Sequence, residues 1–89
     1  MIAIPFKAQT LKGKVTDEKN APLTYANVVL QTVDSIYVAG TTTDMEGRFE
    51  LALHEKAKLI NISFVGYSTI IKEISQYDLG IIQLNLRKD

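Results

Sequence analysis

The chain has 89 residues, of which 46% are hydrophobic, and its ten acidic and ten basic residues give a formal net charge of zero. This length provides for one hydrophobic core, which excludes most multi-domain enzymes, and the neutral charge lacks the basic surface typical of nucleic-acid binding. The absence of cysteine excludes disulfide bonds, thiolate nucleophiles and cysteine–zinc sites, and the single histidine excludes sites that need two imidazoles from one chain. The longest apolar run, Met1 to Phe6, is much shorter than the roughly 20 residues that cross a membrane as a helix.

The first nine residues differ in composition from the rest of the chain. They begin with an apolar stretch and reach a small residue, Ala8, before the first strand pattern starts. This order is typical of the end of a secretion signal, although the basic start of such a signal is missing. We therefore interpret residues 1–9 as the remnant of a signal peptide, with an ordinary N-terminal arm or edge strand as the alternative. The domain itself is predicted at residues 10–89.

The rest of the chain consists of short runs rich in β-branched residues, separated by turn residues at regular intervals. Val, Ile and Thr recur in these runs and favour pleated strands. The pattern predicts seven strands, at residues 11–17, 25–32, 36–43, 48–53, 58–65, 68–74 and 80–86. Seven short strands without a long helix are typical of an all-β fold, and we predict a seven-stranded antiparallel Greek-key β-sandwich.

Alternation of apolar and polar residues within the runs predicts which side chains enter the core, because successive side chains of a strand point to opposite faces. The sixth strand has no clear alternation, so its facing stays open. The second, fourth, fifth and seventh strands alternate clearly. Their predicted core residues are Ala26, Val28, Leu30, Phe49, Leu51, Leu53, Ile60, Ile62, Phe64, Ile82, Leu84 and Leu86.

A turn signal separates the third and fourth predicted strands. Asp44 stands at the first turn position, where its carboxylate can accept backbone N–H groups, and Gly47 stands at the last, where a positive φ costs least. We predict a β-hairpin at this point. The segment lacks most of the alternating oxygen ligands and the distal glutamate of a calcium loop, so we interpret it as a turn and not as a metal site.

An ordered series of short motifs resembles the carboxypeptidase-regulatory-like domain family. The motifs are Gly13-Lys14-Val15-Thr16-Asp17, Pro22-Leu23, Ala26-Asn27-Val28, Gly40 with Thr42-Thr43-Asp44, Gly47-Arg48-Phe49 and Ile62-Ser63-Phe64-Val65-Gly66-Tyr67. The resemblance implies a prealbumin-like (transthyretin-like) sandwich without catalytic activity of its own. It also implies a setting, since such domains accompany some metallocarboxypeptidases and stand at the N-terminus of many TonB-dependent outer-membrane transporters of Bacteroidetes-type bacteria.

These motif residues have structural explanations that need no ligand. Gly13 and Gly40 allow close approach or a bulge within strands, and Ala26 provides a small core position between the sheets. Gly66 and Tyr67 end a buried strand at a corner, where the tyrosine hydroxyl can bond a backbone group. We predict no catalytic, cofactor-binding or metal-binding residue. The predicted structural signature is Gly13, Pro22, Ala26, Val28, Gly40, Asp44, Gly47, Phe49, Gly66 and Tyr67.

Two groups of residues are candidates for a chemical role, and each has a simpler structural interpretation. His54 stands beside charged residues and is interpreted as a solvated loop residue, and one histidine is too few for the hydrolases of the transthyretin-like fold. An isopeptide bond between Lys14 and Asn85, with Glu50 as the acid, requires burial, because desolvation shifts the pKa values that the reaction uses. Alternation places Glu50 and Asn85 on the water side, so we do not predict this bond.

The four tyrosines, Tyr25, Tyr37, Tyr67 and Tyr77, are spread over four segments of the sequence. We therefore expect them to pack in the core or at corners. An exposed cluster of two or more on one face would instead favour a sugar-binding platform.

We expect a non-catalytic accessory or interaction module of an exported cell-envelope protein, in the periplasm or at the outer membrane, associated with nutrient binding or uptake. The expected partner is a neighbouring domain or an envelope protein, bound through an exposed sheet edge, with an edge-strand dimer as a related arrangement. The alternatives are a stand-alone carbohydrate- or peptide-binding module and the accessory domain of a metallocarboxypeptidase. We expect no cofactor, no nucleic-acid partner and no membrane-spanning segment.

Overall fold

A computed structural model describes residues 9–88 of the chain, and these residues form seven strands and no helix. No helix in this part of the chain is long and apolar enough to cross a membrane. The predicted all-β, seven-stranded sandwich is confirmed, whereas the interpretation of residues 1–9 falls almost wholly outside the described residues. The strands are β1 (Thr10–Thr16), β2 (Asn27–Gln31), β3 (Tyr37–Thr42), β4 (Arg48–Ala52), β5 (Leu59–Ser63), β6 (Ile70–Glu73) and β7 (Asp78–Gln83).

The strands form two sheets that pack face to face. The three-stranded sheet has the order β4-β1-β7, and the four-stranded sheet has the order β3-β2-β5-β6. Four of the strand pairs are antiparallel as predicted, but β1 and β7 run parallel. The exception arises because β7 follows β6 of the other sheet, so no hairpin forces it to run against β1.

The core lies between the sheets and consists of the side chains that alternation places inward. Val28 and Leu30 of β2 and Ile60 and Ile62 of β5 are fully buried, and Leu11 of β1 faces them from the other sheet. Burying such side chains contributes roughly 1.5–3 kcal/mol each before the entropy cost of ordering them.

The prediction for the last strand is partly wrong. Ile82 and Leu84 are buried as predicted, but Leu86 is 54% exposed, and Leu79, which was not predicted, is buried. Gly80 has a φ of 66°, and the register between β1 and β7 shifts beside it. The irregularity changes the spacing of inward residues from two to three, so a strict alternation does not describe this strand.

The predicted hairpin between the third and fourth strands is also wrong, although the turn itself forms. The N–H of Gly47 donates to the carbonyl of Asp44 over 2.9 Å, and the Asp44 carboxylate accepts the N–H groups of Glu46 and Arg48. However, β3 and β4 lie in different sheets. The tight turn therefore carries the chain across the sandwich instead of pairing its two flanking strands.

Candidate functional site

The signature residues at the Asp44–Gly47 turn form a crowded corner. Gly47 has a φ of 77°, and a Cβ atom built on it would lie 2.5 Å from the carbonyl oxygen of Val15 and 3.1 Å from Cβ of Pro22. The carbonyl of Gly47 accepts the N–H of Val15 over 2.7 Å. Only glycine provides both the backbone conformation and the space.

Thr43, which lies in one of the family motifs but outside the predicted structural signature, holds this corner together. Thr43 is 1% exposed, and its hydroxyl accepts the N–H of Ala26 over 2.8 Å and donates to the carbonyl of Leu23 over 2.5 Å. Ala26 itself is fully buried, as is Val28 two residues later. A threonine in a strand pattern looks like an ordinary β former, so only the contact between distant loops identifies this role.

Two of the strand glycines, Gly13 and Gly40, each face an aromatic ring. Gly13 is in register with Phe49, and a Cβ on Gly13 would lie 2.8 Å from two carbon atoms of that ring. The ring of Tyr37 covers Gly40, with its hydroxyl 3.3 Å from the position of a Cβ. In both cases the missing side chain makes room for a ring that stabilises the glycine position.

Gly66 and Tyr67 lie at the corner after β5. Gly66 has a φ of 87°, and the N–H of Tyr67 donates to the carbonyl of Phe64 over 3.0 Å. The half-buried Tyr67 ring packs on Phe64 with 5.7 Å between ring centroids. Desolvation raises the pKa of Tyr67 above 10.0, and the negative charges of Glu18 and Asp17 raise it further.

We expect the domain to lose stability as the pH rises above about 10, because the folded state holds the Tyr67 proton more tightly than the unfolded chain does. The difference between ultraviolet titrations of the wild type and of Tyr67→Phe isolates the Tyr67 phenol, which should ionise above pH 10.0. Glu18→Gln should lower the Tyr67 pKa only partly, since burial is the larger cause. A full return to the usual value in Glu18→Gln would contradict the assignment.

The residues that are candidates for a chemical role are exposed or lie apart from one another. Glu50 and Asn85 are exposed and Lys14 is half-buried, so the burial that an isopeptide bond requires is not met. Lys14 is in register with Arg48 on one side and Ile81 on the other. His54 is exposed in the loop between β4 and β5, and no group of three or more potential metal ligands occurs within residues 9–88.

The expectation for the tyrosines is wrong for three of the four. Tyr67 packs at a corner, but Tyr25, Tyr37 and Tyr77 are 70%, 66% and 50% exposed. These three belong to the segment before β2, the start of β3 and the segment before β7. Tyr25 also has a φ of 64°, which is unusual for a bulky residue.

The outer faces of the two sheets differ in charge. The face of the three-stranded sheet carries Lys12, Lys14, Arg48, Glu50 and Asp78, which line a depression of about 400 Å³. The outer face of the four-stranded sheet, which we call the neutral face, has one charged residue, Glu73, at its border. Its other members are Tyr37, Gly40, Thr42, Asn27, Val29, Gln31, Leu59, Asn61, Ser63 and Ile71.

A second depression, of about 560 Å³, lies at one end of the sandwich. Its apolar wall includes Leu53 and Ile74, and its polar groups include His54 and Gln76, beside the exposed ring of Tyr77. An apolar wall with a few polar groups and one aromatic ring is suited to a small polar ligand.

The chain matches one protein-family profile and several solved structures of similar fold. The profile of the CarboxypepD_reg-like domain matches residues 11–89, which is nearly the whole chain. No curated protein sequence matches the chain.

Solved structures with similar folds have low sequence identity. A 3-chlorocatechol 1,2-dioxygenase from Rhodococcus opacus 1CP has a TM-score of 0.59 and 13% identity, and the match covers 91% of this chain and 61% of the dioxygenase. The Bacillus anthracis TIE protein has a TM-score of 0.57 and 19% identity, with 86% of this chain and 17% of that protein covered. The chain thus spans less than two thirds of either protein, and the likeness concerns the fold alone.

Proposed function

Because this chain belongs to the CarboxypepD_reg-like domain family, whose members are typically non-catalytic, we propose that it is an interaction module of a cell-envelope protein. In this proposal, the chain is the N-terminal extension of an outer-membrane nutrient transporter and packs against a neighbouring domain of the same polypeptide. The observation that carries the proposal is the neutral face.

The composition of the neutral face supports a protein partner. Charged residues are depleted in the cores of protein interfaces, whereas tyrosine and apolar residues are common there. The neutral face has Val29 half-buried at its centre and Leu59 half-buried towards one end, with Ile71 and Tyr37 exposed at 57% and 66%. The face of the other sheet carries five charged side chains and is better suited to contact with water.

The size of the neutral face favours a partner in the same polypeptide. Four strands about 4.8 Å apart and about five residues long, at about 3.3 Å per residue, give a surface of roughly 300 Å². Covering it would bury roughly 600 Å² on both partners together. That total is below the roughly 1,200 Å² of stable complexes between separate proteins, but it falls within the range of contacts between domains of one chain.

The envelope setting is supported by the resemblance to transporter extensions and by the signal-like composition of residues 1–9. The gene on both sides of the chain tests it directly. We expect a secretion signal before the domain and a long β-barrel sequence after it. A zinc carboxypeptidase domain or a stop codon after the domain would contradict the transporter proposal.

A charge placed on the neutral face tests its role in the full-length parent protein. Asn61→Lys lies at the centre of this face, and Ala52→Lys, on the outer face of the other sheet, is the matched control. We expect Asn61→Lys and deletion of residues 11–86 to reduce uptake or assembly at least several-fold and Ala52→Lys to have no effect. Unchanged uptake and assembly in both Asn61→Lys and the deletion would contradict the proposal.

A second candidate function, binding of a carbohydrate or peptide, is favoured by the depression beside Tyr77. Ligand binding to the folded state raises the melting temperature, so a glycan and peptide panel provides the test. A true ligand should raise the melting temperature of the wild-type chain and of Tyr25→Ala, but not that of Tyr77→Ala. No shift with any compound would exclude this function for the panel used.

A further inference from the structure

One of the four edge strands differs from the others in charge. The edges of the two sheets are β4 and β7 in one and β3 and β6 in the other, among the strands of residues 9–88. β4 carries Arg48 and Glu50, β6 carries Lys72 and Glu73, and β7 carries Asp78. β3 has the sequence YVAGTT and carries no charge.

The three charged edges have the features by which proteins prevent pairing with other chains. Lys72 of β6 is in register with the buried Ile60, so it is a charge on the inward side of an edge. β7 is bent at Gly80, where φ is 66° and the register shifts, and β4 has charged residues at alternate positions. Inward charges, bulges and charged edge positions all disfavour the addition of another strand.

β3 lacks these features over its second half. Its register shift lies at its start, between Tyr37 and Ala39, and residues 39–42 pair regularly with β2. Tyr37 and Ile36, just before this stretch, are 66% and 62% exposed. A flat, uncharged edge with exposed apolar residues beside it is a template for strand pairing.

The hydrogen-bond pattern identifies the groups that this edge offers. Thr43 bonds towards β2, because its N–H donates to the carbonyl of Ala26 and its carbonyl accepts the N–H of Tyr25. Hydrogen-bonded and non-hydrogen-bonded positions alternate along an antiparallel pair. The N–H and C=O groups of Thr41 therefore also point towards β2, and those of Gly40 and Thr42 point out of the open edge.

We propose that the open edge of β3 pairs with β3 of a second copy of this chain, antiparallel and centred on Thr41. In this register Gly40 of each copy is opposite Thr42 of the other, which forms four backbone hydrogen bonds. The residues that this register brings together on the outer face, Gly40 and Thr42, are small. Two copies that each have a net charge of zero do not repel each other. The eight-stranded sheet that results places two neutral faces side by side, and the proposal does not depend on the envelope setting.

The test is the oligomeric state of the 89-residue chain together with the exchange of two amides. Sedimentation from about 20 μM to about 1 mM covers the affinity expected for a contact below about 1,200 Å². We expect the mass to rise from 9.9 kDa towards twice that value. Exchange of the Gly40 and Thr42 amides should slow about five-fold when about four fifths of the chain is paired, since the paired amides are protected.

Thr42→Lys places a charge on the open edge at an exposed position, and Thr69→Lys places the same charge beside the β6 edge. We expect Thr42→Lys to remain monomeric with an unchanged circular dichroism spectrum and Thr69→Lys to pair like the wild type. A wild-type chain that is monomeric at the highest concentration would overturn the proposal. So would pairing without protection of Gly40 and Thr42, or a Thr42→Lys variant that pairs normally.

Discussion

Replacing Gly47 with alanine is expected to destabilise the domain by at least about 3 kcal/mol, which is a large part of the roughly 5–15 kcal/mol typical of a small domain. Two costs add. A non-glycine residue at a φ of 77° is strained, and the new Cβ would lie 2.5 Å from the carbonyl oxygen of Val15. That oxygen cannot move freely, because it accepts the N–H of Leu23 over 3.0 Å.

The measurement is urea and thermal unfolding, in which we expect the melting temperature to fall by roughly 12 °C or more. Gly80→Ala is the matched control, since Gly80 has a φ of 66° but nothing within 4 Å of the position of a Cβ. It should show the conformational cost alone, about 1–2 kcal/mol. Equal losses in the two variants would show that the contact with Val15 has no energetic weight.

Removal of the Thr43 hydroxyl in Thr43→Val is expected to cost roughly 2–6 kcal/mol. The change preserves the shape of the side chain but leaves the N–H of Ala26 and the carbonyl of Leu23 without their partner in a buried position. Each buried polar group that loses its hydrogen bond costs about 1–3 kcal/mol.

Thr16→Val provides the opposite case within the same chain. Thr16 is 2% exposed, and its hydroxyl has no hydrogen-bond partner among residues 9–88. The same substitution should therefore leave the free energy of unfolding unchanged or raise it by about 1 kcal/mol, because a buried hydroxyl without a partner is costly. Denaturant unfolding of both variants measures the contrast. Similar destabilisation in the two would mean that the hydrogen bonds of Thr43 do not matter.

The candidate interaction surfaces illustrate how far sequence reasoning reaches. Alternation in β2 and β5 places Val29 and Asn61 outward, so the neutral character of each strand is readable from its own residues. That these strands lie side by side, and that β3 rather than β2 is an edge, is not readable in this way. A surface made of several strands needs the pairing order, which no single strand contains.

The tyrosines show that the exposure of a side chain is predictable from the local sequence only where that sequence contains a structural marker. Tyr67 follows Gly66 at the end of a strand, and its corner position could be predicted from that local context. Tyr25, Tyr37 and Tyr77 have no such local marker, because exposure depends on what the remainder of the fold places over a residue. Their spread over separate segments of the sequence favoured packing in the core or at corners, but all three are exposed.

The sequence alone determined the number of strands, most of the buried faces and the turn at Asp44–Gly47, since these follow from the alternation of neighbouring residues and from local backbone preferences. Length and composition limited the chain to one small core. Only the tertiary structure decided that β1 runs parallel to β7, that the turn crosses between sheets, and that Thr43 joins two loops. The reason is that a strand's own side chains specify which face it buries, whereas its partner and direction are set by contacts between residues far apart in the chain.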